Sequence, residues 1–91
     1  MVVRVRLSEP LSQYAMNKKN VTIRACSNVS QAFEELGKLY PGMERRILDD
    51  QDNVRRYVNV FLNGDLVTSS PETVRLKEND ELYIVQSVAG G

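Results

Sequence analysis

Residues 2–7 alternate in character, with Val3, Val5 and Leu7 on one side and Arg4 and Arg6 on the other. That period of two predicts a strand with one wetted face. Ser8-Glu9-Pro10 closes the run, because proline cannot continue a central ladder. Val21, Ile23 and Ala25 repeat the alternation, and Asn17-Lys18-Lys19-Asn20 before them is a polar turn. Together they predict an antiparallel hairpin with a loop of moderate length, from which Leu11, Tyr14 and Met16 fold back onto the core.

A helix follows. Asn28 suits an N-cap, and Gln31 three residues later completes a capping-box pattern. Val29, Ala32, Phe33, Leu36, Leu39 and Tyr40 then recur at offsets of 3, 4, 7, 10 and 11, which is one apolar stripe of a helix. Glu34 and Lys38 occupy the opposite face at i,i+4. Gly37 interrupts the helix at a cost of up to about 1 kcal/mol relative to alanine, and Pro41-Gly42 stops it.

Residues 43–56 are mostly charged, with Met43, Ile47 and Leu48 as isolated anchors and Asp49-Asp50-Gln51-Asp52-Asn53 as a turn-rich tip. They predict a long surface loop with a helical turn around Glu44–Leu48. Tyr57–Leu62 is rich in strand formers, and Asn63-Gly64 is a strong hairpin signal leading into a short return strand at Leu66-Val67-Thr68. Ser69–Glu72 and Lys77–Asp80 are turns, and Leu82–Val85 is the last strand.

The order β-β-α-β-β-β gives a two-layer α+β domain, since one helix covers only one face of a small mixed sheet. With the first and last strands paired in parallel through the crossover, the expected architecture is a β-grasp (ubiquitin-like) roll over residues 1–86, with residues 87–91 as a flexible tail. Chain length agrees. At 91 residues a folded chain buries about 64% of its surface, enough for one core and too little for an enclosed cofactor cavity.

Twelve basic and twelve acidic residues cancel, which argues against non-specific binding to nucleic acid or to anionic membrane. Their distribution is uneven: residues 1–64 carry net +3 and residues 65–91 net −3. An acidic final third would suit a partner with a basic docking surface. Histidine is absent and Cys26 is the one cysteine. That removes internal disulfides, Cys-rich zinc sites, and every Ser-His or Cys-His pair. No apolar run is long enough to span a membrane and the start has no signal-peptide block, so a cytoplasmic location is expected.

Few side chains suggest chemistry. Asp49, Asp50 and Asp52 sit beside Arg45, Arg46, Arg55 and Arg56 in a solvated loop, without the spacing of a calcium loop. Cys26 reads as a small buried hydrophobe, although its place before a helix N-terminus would lower a thiol pKa. If the helix covers Val58, Val60 and Leu62, then Phe61 faces outward and marks a partner-docking patch. The end of the sequence stands apart. A short arm after a strong strand closes on Gly90-Gly91, slim enough to thread a narrow channel and with no Cβ crowding its carboxylate.

The fold order, Asn63-Gly64 after an apolar strand, Asp80-Glu81-Leu82-Tyr83-Ile84, and the ending Val88-Ala89-Gly90-Gly91 together resemble the ThiS/MoaD family of ubiquitin-like sulfur carriers. The resemblance implies that the chain is a carrier rather than an enzyme and binds no cofactor. An E1-like adenylating enzyme would use Mg-ATP to convert the Gly91 carboxylate to an acyl-adenylate. A sulfur donor would then displace AMP and leave a thiocarboxylate on Gly91. Val88, Ala89 and Gly90 would guide the arm through partner active sites. The stretch Asp52–Asn63 is most similar to carriers that supply amino-acid biosynthesis, cysteine or a relative, through a cysteine-synthase-like acceptor and a JAMM-type metalloprotease. Two alternatives stand beside it: the small subunit of molybdopterin synthase, which works with the large subunit, and a ubiquitin-like modifier conjugated through Gly91.

Overall fold

In the computed structural model, residues 2–24 and 27–87 are described. Cys26 and the arm residues Val88, Ala89, Gly90 and Gly91 lie outside them. Five strands form one mixed sheet: β1 (Val2–Leu7), β2 (Asn20–Arg24), β3 (Val58–Leu62), β4 (Asp65–Leu66) and β5 (Glu81–Gln86), in the order β2-β1-β5-β3-β4. The central β5 runs parallel to β1 and antiparallel to β3, and β1 and β2 form the antiparallel hairpin. This is the β-grasp roll. Every strand alternates as its sequence does. Val3, Val5, Leu7, Val21, Ile23, Val58, Val60, Leu82 and Ile84 are all buried on one face.

Three helices, α1 (Glu9–Ser12), α2 (Val29–Leu39) and α3 (Met43–Ile47), accompany the sheet. The first occupies what reads in the sequence as hairpin loop. Pro10 ends the strand but suits the first turn of a helix, where its missing N–H costs nothing. The short helix buries Leu11, and Ala15 follows it into the core. Met16, expected to fold back, instead stands 76% exposed in a left-handed conformation at φ 56°, and Tyr14 is also exposed.

The main helix α2 buries Val29, Ala32, Phe33 and Leu36. Its apolar stripe ends sooner than the spacing suggests, because Leu39 is 52% exposed and only Tyr40 packs partly on the core. Asn28 Oδ1 accepts from the Gln31 amide at 2.8 Å, as expected of the cap. The reciprocal bond lands one residue earlier than in a standard capping box: Gln31 Oε1 accepts from the Ser27 amide at 2.7 Å.

The third helix is the helical turn expected around Glu44–Leu48, placed at Met43–Ile47 within the predicted surface loop. Met43 and Ile47 are fully buried and Leu48 nearly so, so these three residues form a second wall of the core rather than isolated anchors. Gly37 explains how α3 fits. A Cβ at Gly37 would lie 3.0 Å from the Cβ of Glu44, so the glycine lets α3 press against α2. The loop beyond is also ordered by its own atoms, with Asp49 Oδ1 accepting from the amides of Gln51 and Asn53 at 2.9 and 3.0 Å. A β-bridge between Leu48 and Val54 closes it.

Candidate functional site

All the helices lie on the core side of the sheet, which leaves the outer face uncovered. Register defines its rows. Asn20 of β2 is level with Arg6, Arg6 with Tyr83, Tyr83 with Phe61, and Phe61 with Leu66. The Arg6 guanidinium stands 4.4 Å from the centre of the Tyr83 ring. The Tyr83 and Phe61 rings are 6.3 Å apart and tilted by 34°. Leu66 ends the row, 52% exposed. An apolar stripe with a cation held against an aromatic face is the composition that interface hot spots favour.

Phe61 therefore lies on the outward side, as its strand parity predicts, but it is half-buried rather than free, because Tyr83 and Leu66 flank it. Arg6 and Tyr83 belong to the same stripe and were missed from the sequence. Their alternation was visible, but which residue of β1 meets which residue of β5 depends on a parallel pairing across 76 intervening residues, and no local signal carries it.

A second row, Asn59 beside Val85, separates this stripe from the end of β5. There the chain is held on both sides. The Gln86 amide donates to Ser8 Oγ at 2.9 Å, and the Ser87 amide donates to the Tyr57 carbonyl at 2.7 Å. Gln86 Oε1, on the core-facing side, is buried without a hydrogen-bond partner among the described residues. The sheet thus holds the chain on both sides up to Ser87.

Within the acidic final third, two carboxylates hold the backbone of turns and strand ends. Asp80 accepts from Asn63 Nδ2 at 3.0 Å and from the Lys77 amide at 2.7 Å, and Glu78 Oε1 accepts from the Val2 amide at 2.7 Å. The Asp49–Asp52 cluster is a turn with Arg45 paired to Asp50 at 3.0 Å. A crevice of about 270 Å³ opens between α2 and β3 over Phe33, Val58 and Val60, on the core side of the sheet, away from the outer stripe. Among the described residues, no three His, Cys, Asp or Glu side chains converge as a metal site would need. None of their helices is long and apolar enough to cross a membrane.

A mixed sheet with parallel first and last strands and one dominant helix packed on one face defines the ubiquitin-like β-grasp class. The model of the ThiS family matches residues 5–91, and the chain belongs to that family. No curated protein matches the chain in sequence. Among solved structures, CysO in the BexX/CysO complex of Amycolatopsis orientalis superposes with a TM-score of 0.84 at 26% identity, covering 98% of this chain and 99% of that one. SAMP1 from Haloferax volcanii gives 0.83 at 22% identity over 100% of both chains. CysO from Mycobacterium tuberculosis gives 0.84 at 21% identity over 94% and 99%. The two lower identities speak to the fold alone.

Proposed function

We propose that the protein is a sulfur carrier whose reactive group is the Gly91 carboxylate. One observation carries this reading above the rest. The central strand β5 is held in the sheet up to Ser87, and the sequence that follows reads Val88-Ala89-Gly90-Gly91. In the proposed cycle a carboxylate oxygen of Gly91 attacks the α-phosphorus of Mg-ATP within an E1-like enzyme. Pyrophosphate leaves and an acyl-adenylate forms. Hydrosulfide-level sulfur from a donor then attacks the acyl carbon, AMP departs with its oxygen, and the thiocarboxylate remains. The carrier supplies reach and an unhindered acyl group, while the partner supplies the metal and the general acid–base groups. Val88, Ala89 and Gly90 line the partner's channel, and the Phe61–Tyr83–Arg6 stripe seats the domain at its mouth.

For the acceptor, amino-acid biosynthesis is favoured. The proposed acceptor is a cysteine-synthase-like enzyme, with release by a JAMM-type protease; the match to the Amycolatopsis CysO, solved in complex with BexX, over nearly the full length of both chains supports a carrier that docks on a partner protein. A molybdopterin-synthase large subunit is the alternative acceptor. The acyl-adenylate would equally serve attack by a lysine amine, as in a modifier conjugated through Gly91, which is the second reading.

The test is ATP–pyrophosphate exchange by the cognate activating enzyme. Exchange should require this protein and vanish when Gly91 is deleted, with circular dichroism unchanged. Exchange that persists with the truncated chain would overturn the assignment of Gly91.

A further inference from the structure

The longer of the two sheet edges is open. The hairpin register pairs Val5 with Val21 and Val3 with Ile23, and the Leu7 amide donates to the Lys19 carbonyl at 2.8 Å. Peptide units alternate sides along a strand, so those of Lys19, Val21 and Ile23 face β1 and those of Asn20, Thr22 and Arg24 face away. Among the described residues nothing bonds to these outward peptide groups. The opposite edge, β4, is two residues long, so β2 is where unsatisfied ladder groups accumulate.

The edge is also strongly cationic. Lys18 and Lys19 precede it, Arg24 ends it, and Arg4 and Arg6 project from the neighbouring strand, all five exposed. Arg4 is level with Glu81, the one acid in the outer-face rows. The described ion pairs, Lys38–Glu35 and Arg45–Asp50, draw on none of these cations. Charge of one sign along an edge discourages pairing with a second copy, because antiparallel docking of β2 on β2 would oppose the same cations. It favours a strand of opposite sign. The side chains of Asn20, Thr22 and Arg24 are exposed, so the outer face beside this edge is open among the described residues.

We propose that β2 is a strand-addition site for an extended, acidic peptide segment of a partner protein, held by the peptide groups of Asn20, Thr22 and Arg24 and selected by Lys18, Lys19 and Arg24. The site adjoins the Phe61 stripe at Asn20 and Arg6, but it engages the outward peptide groups along the edge of β2 rather than the rings on the outer face. It does not depend on the sulfur-carrier reading.

The experiment titrates the full-length ¹⁵N-labelled protein with a blocked heptapeptide of alternating valines flanked by aspartates. Saturable binding is expected, with amide shifts centred on Asn20, Thr22 and Arg24 and affinity falling as salt rises. Thr22→Pro removes one outward donor and leaves the β1 ladder intact, because that amide faces away from β1. It should weaken binding about fivefold or more. Lys18→Glu with Lys19→Glu should weaken it about tenfold at low salt, which tests the proposal even where the proline variant folds poorly. Deleting Gly90 and Gly91 should leave binding unchanged. Shifts confined to Phe61 and Tyr83, indifference to the charge reversal, no saturation, or a dimer formed through β2 without peptide would each overturn it.

Discussion

Asn63 and Asp80 lock two turns that are 17 residues apart. Asn63 Nδ2 donates to Asp80 Oδ1 at 3.0 Å, while Asn63 Oδ1 accepts from the Glu81 amide at 2.9 Å. Asn63 itself sits at φ 50°, in the left-handed region that asparagine tolerates better than most residues. The Asp80 carbonyl accepts from the Arg4 amide at 2.9 Å, so the lock ties the β3–β4 hairpin through β5 to β1. Asn63→Ala loses both side-chain bonds and adds backbone strain, and should cost about 2–3 kcal/mol in chemical denaturation. Asn63→Gly, which keeps the backbone conformation, should cost less. Equal losses would show that backbone strain contributes nothing and that the two side-chain bonds account for the whole effect.

Gly37 makes a sharper prediction, because helix propensity and packing oppose each other there. Alanine in a helix is worth about 1 kcal/mol over glycine. At Gly37 its methyl would meet Glu44 Cβ at 3.0 Å, on a helix fixed by fully buried Met43 and Ile47. Overpacking should win, and Gly37→Ala should destabilise by about 1 kcal/mol. In a Glu44→Gly background the same change should become neutral or stabilising. A gain in the native background would mean that α3 yields freely.

Gln86 offers a stabilising change. Its Oε1 is buried without a hydrogen-bond partner among the described residues, while its backbone amide is satisfied by Ser8 Oγ. Gln86→Leu should raise stability by about 1 kcal/mol. Ser8→Ala, which strands the Gln86 amide, should lower it by a similar amount, about 1 kcal/mol. Thermal melts of the two variants should move in opposite directions. A loss on Gln86→Leu would indicate that the oxygen has a partner in solution.

The outer stripe is predicted to matter for docking more than for folding. Phe61→Ala and Tyr83→Ala each remove half of an aromatic pair worth about 1 kcal/mol, so the domain should stay folded. Binding to the activating enzyme, followed by titration calorimetry, should weaken about tenfold or more. Arg6→Ala should behave alike through loss of its contact with Tyr83. Unchanged affinity in all three would move the docking surface elsewhere.

Strand existence, strand faces and the main helix were legible in the sequence because each rests on a local period, and the parallel β1–β5 pairing followed from the single crossover helix. Three features were not legible. The α1 turn hides behind Pro10, which ends a strand and begins a helix with equal ease. The burial of Met43, Ile47 and Leu48 depends on the close approach at Gly37, a glycine that local propensity marks only as a cost. Arg6 over Tyr83, like Asn63 with Asp80, joins residues distant in sequence through sheet register. At the candidate site, Phe61 was legible from parity alone, while the residues that surround it were not.

The most direct measurement is the intact mass of the protein after incubation with ATP, sulfide and its activating enzyme. A sulfur carrier must gain the mass difference of one oxygen exchanged for one sulfur, localised by fragmentation to Gly91, and must lose that gain on deletion of Gly91. An unchanged mass under conditions where the enzyme forms the adenylate would contradict the assignment.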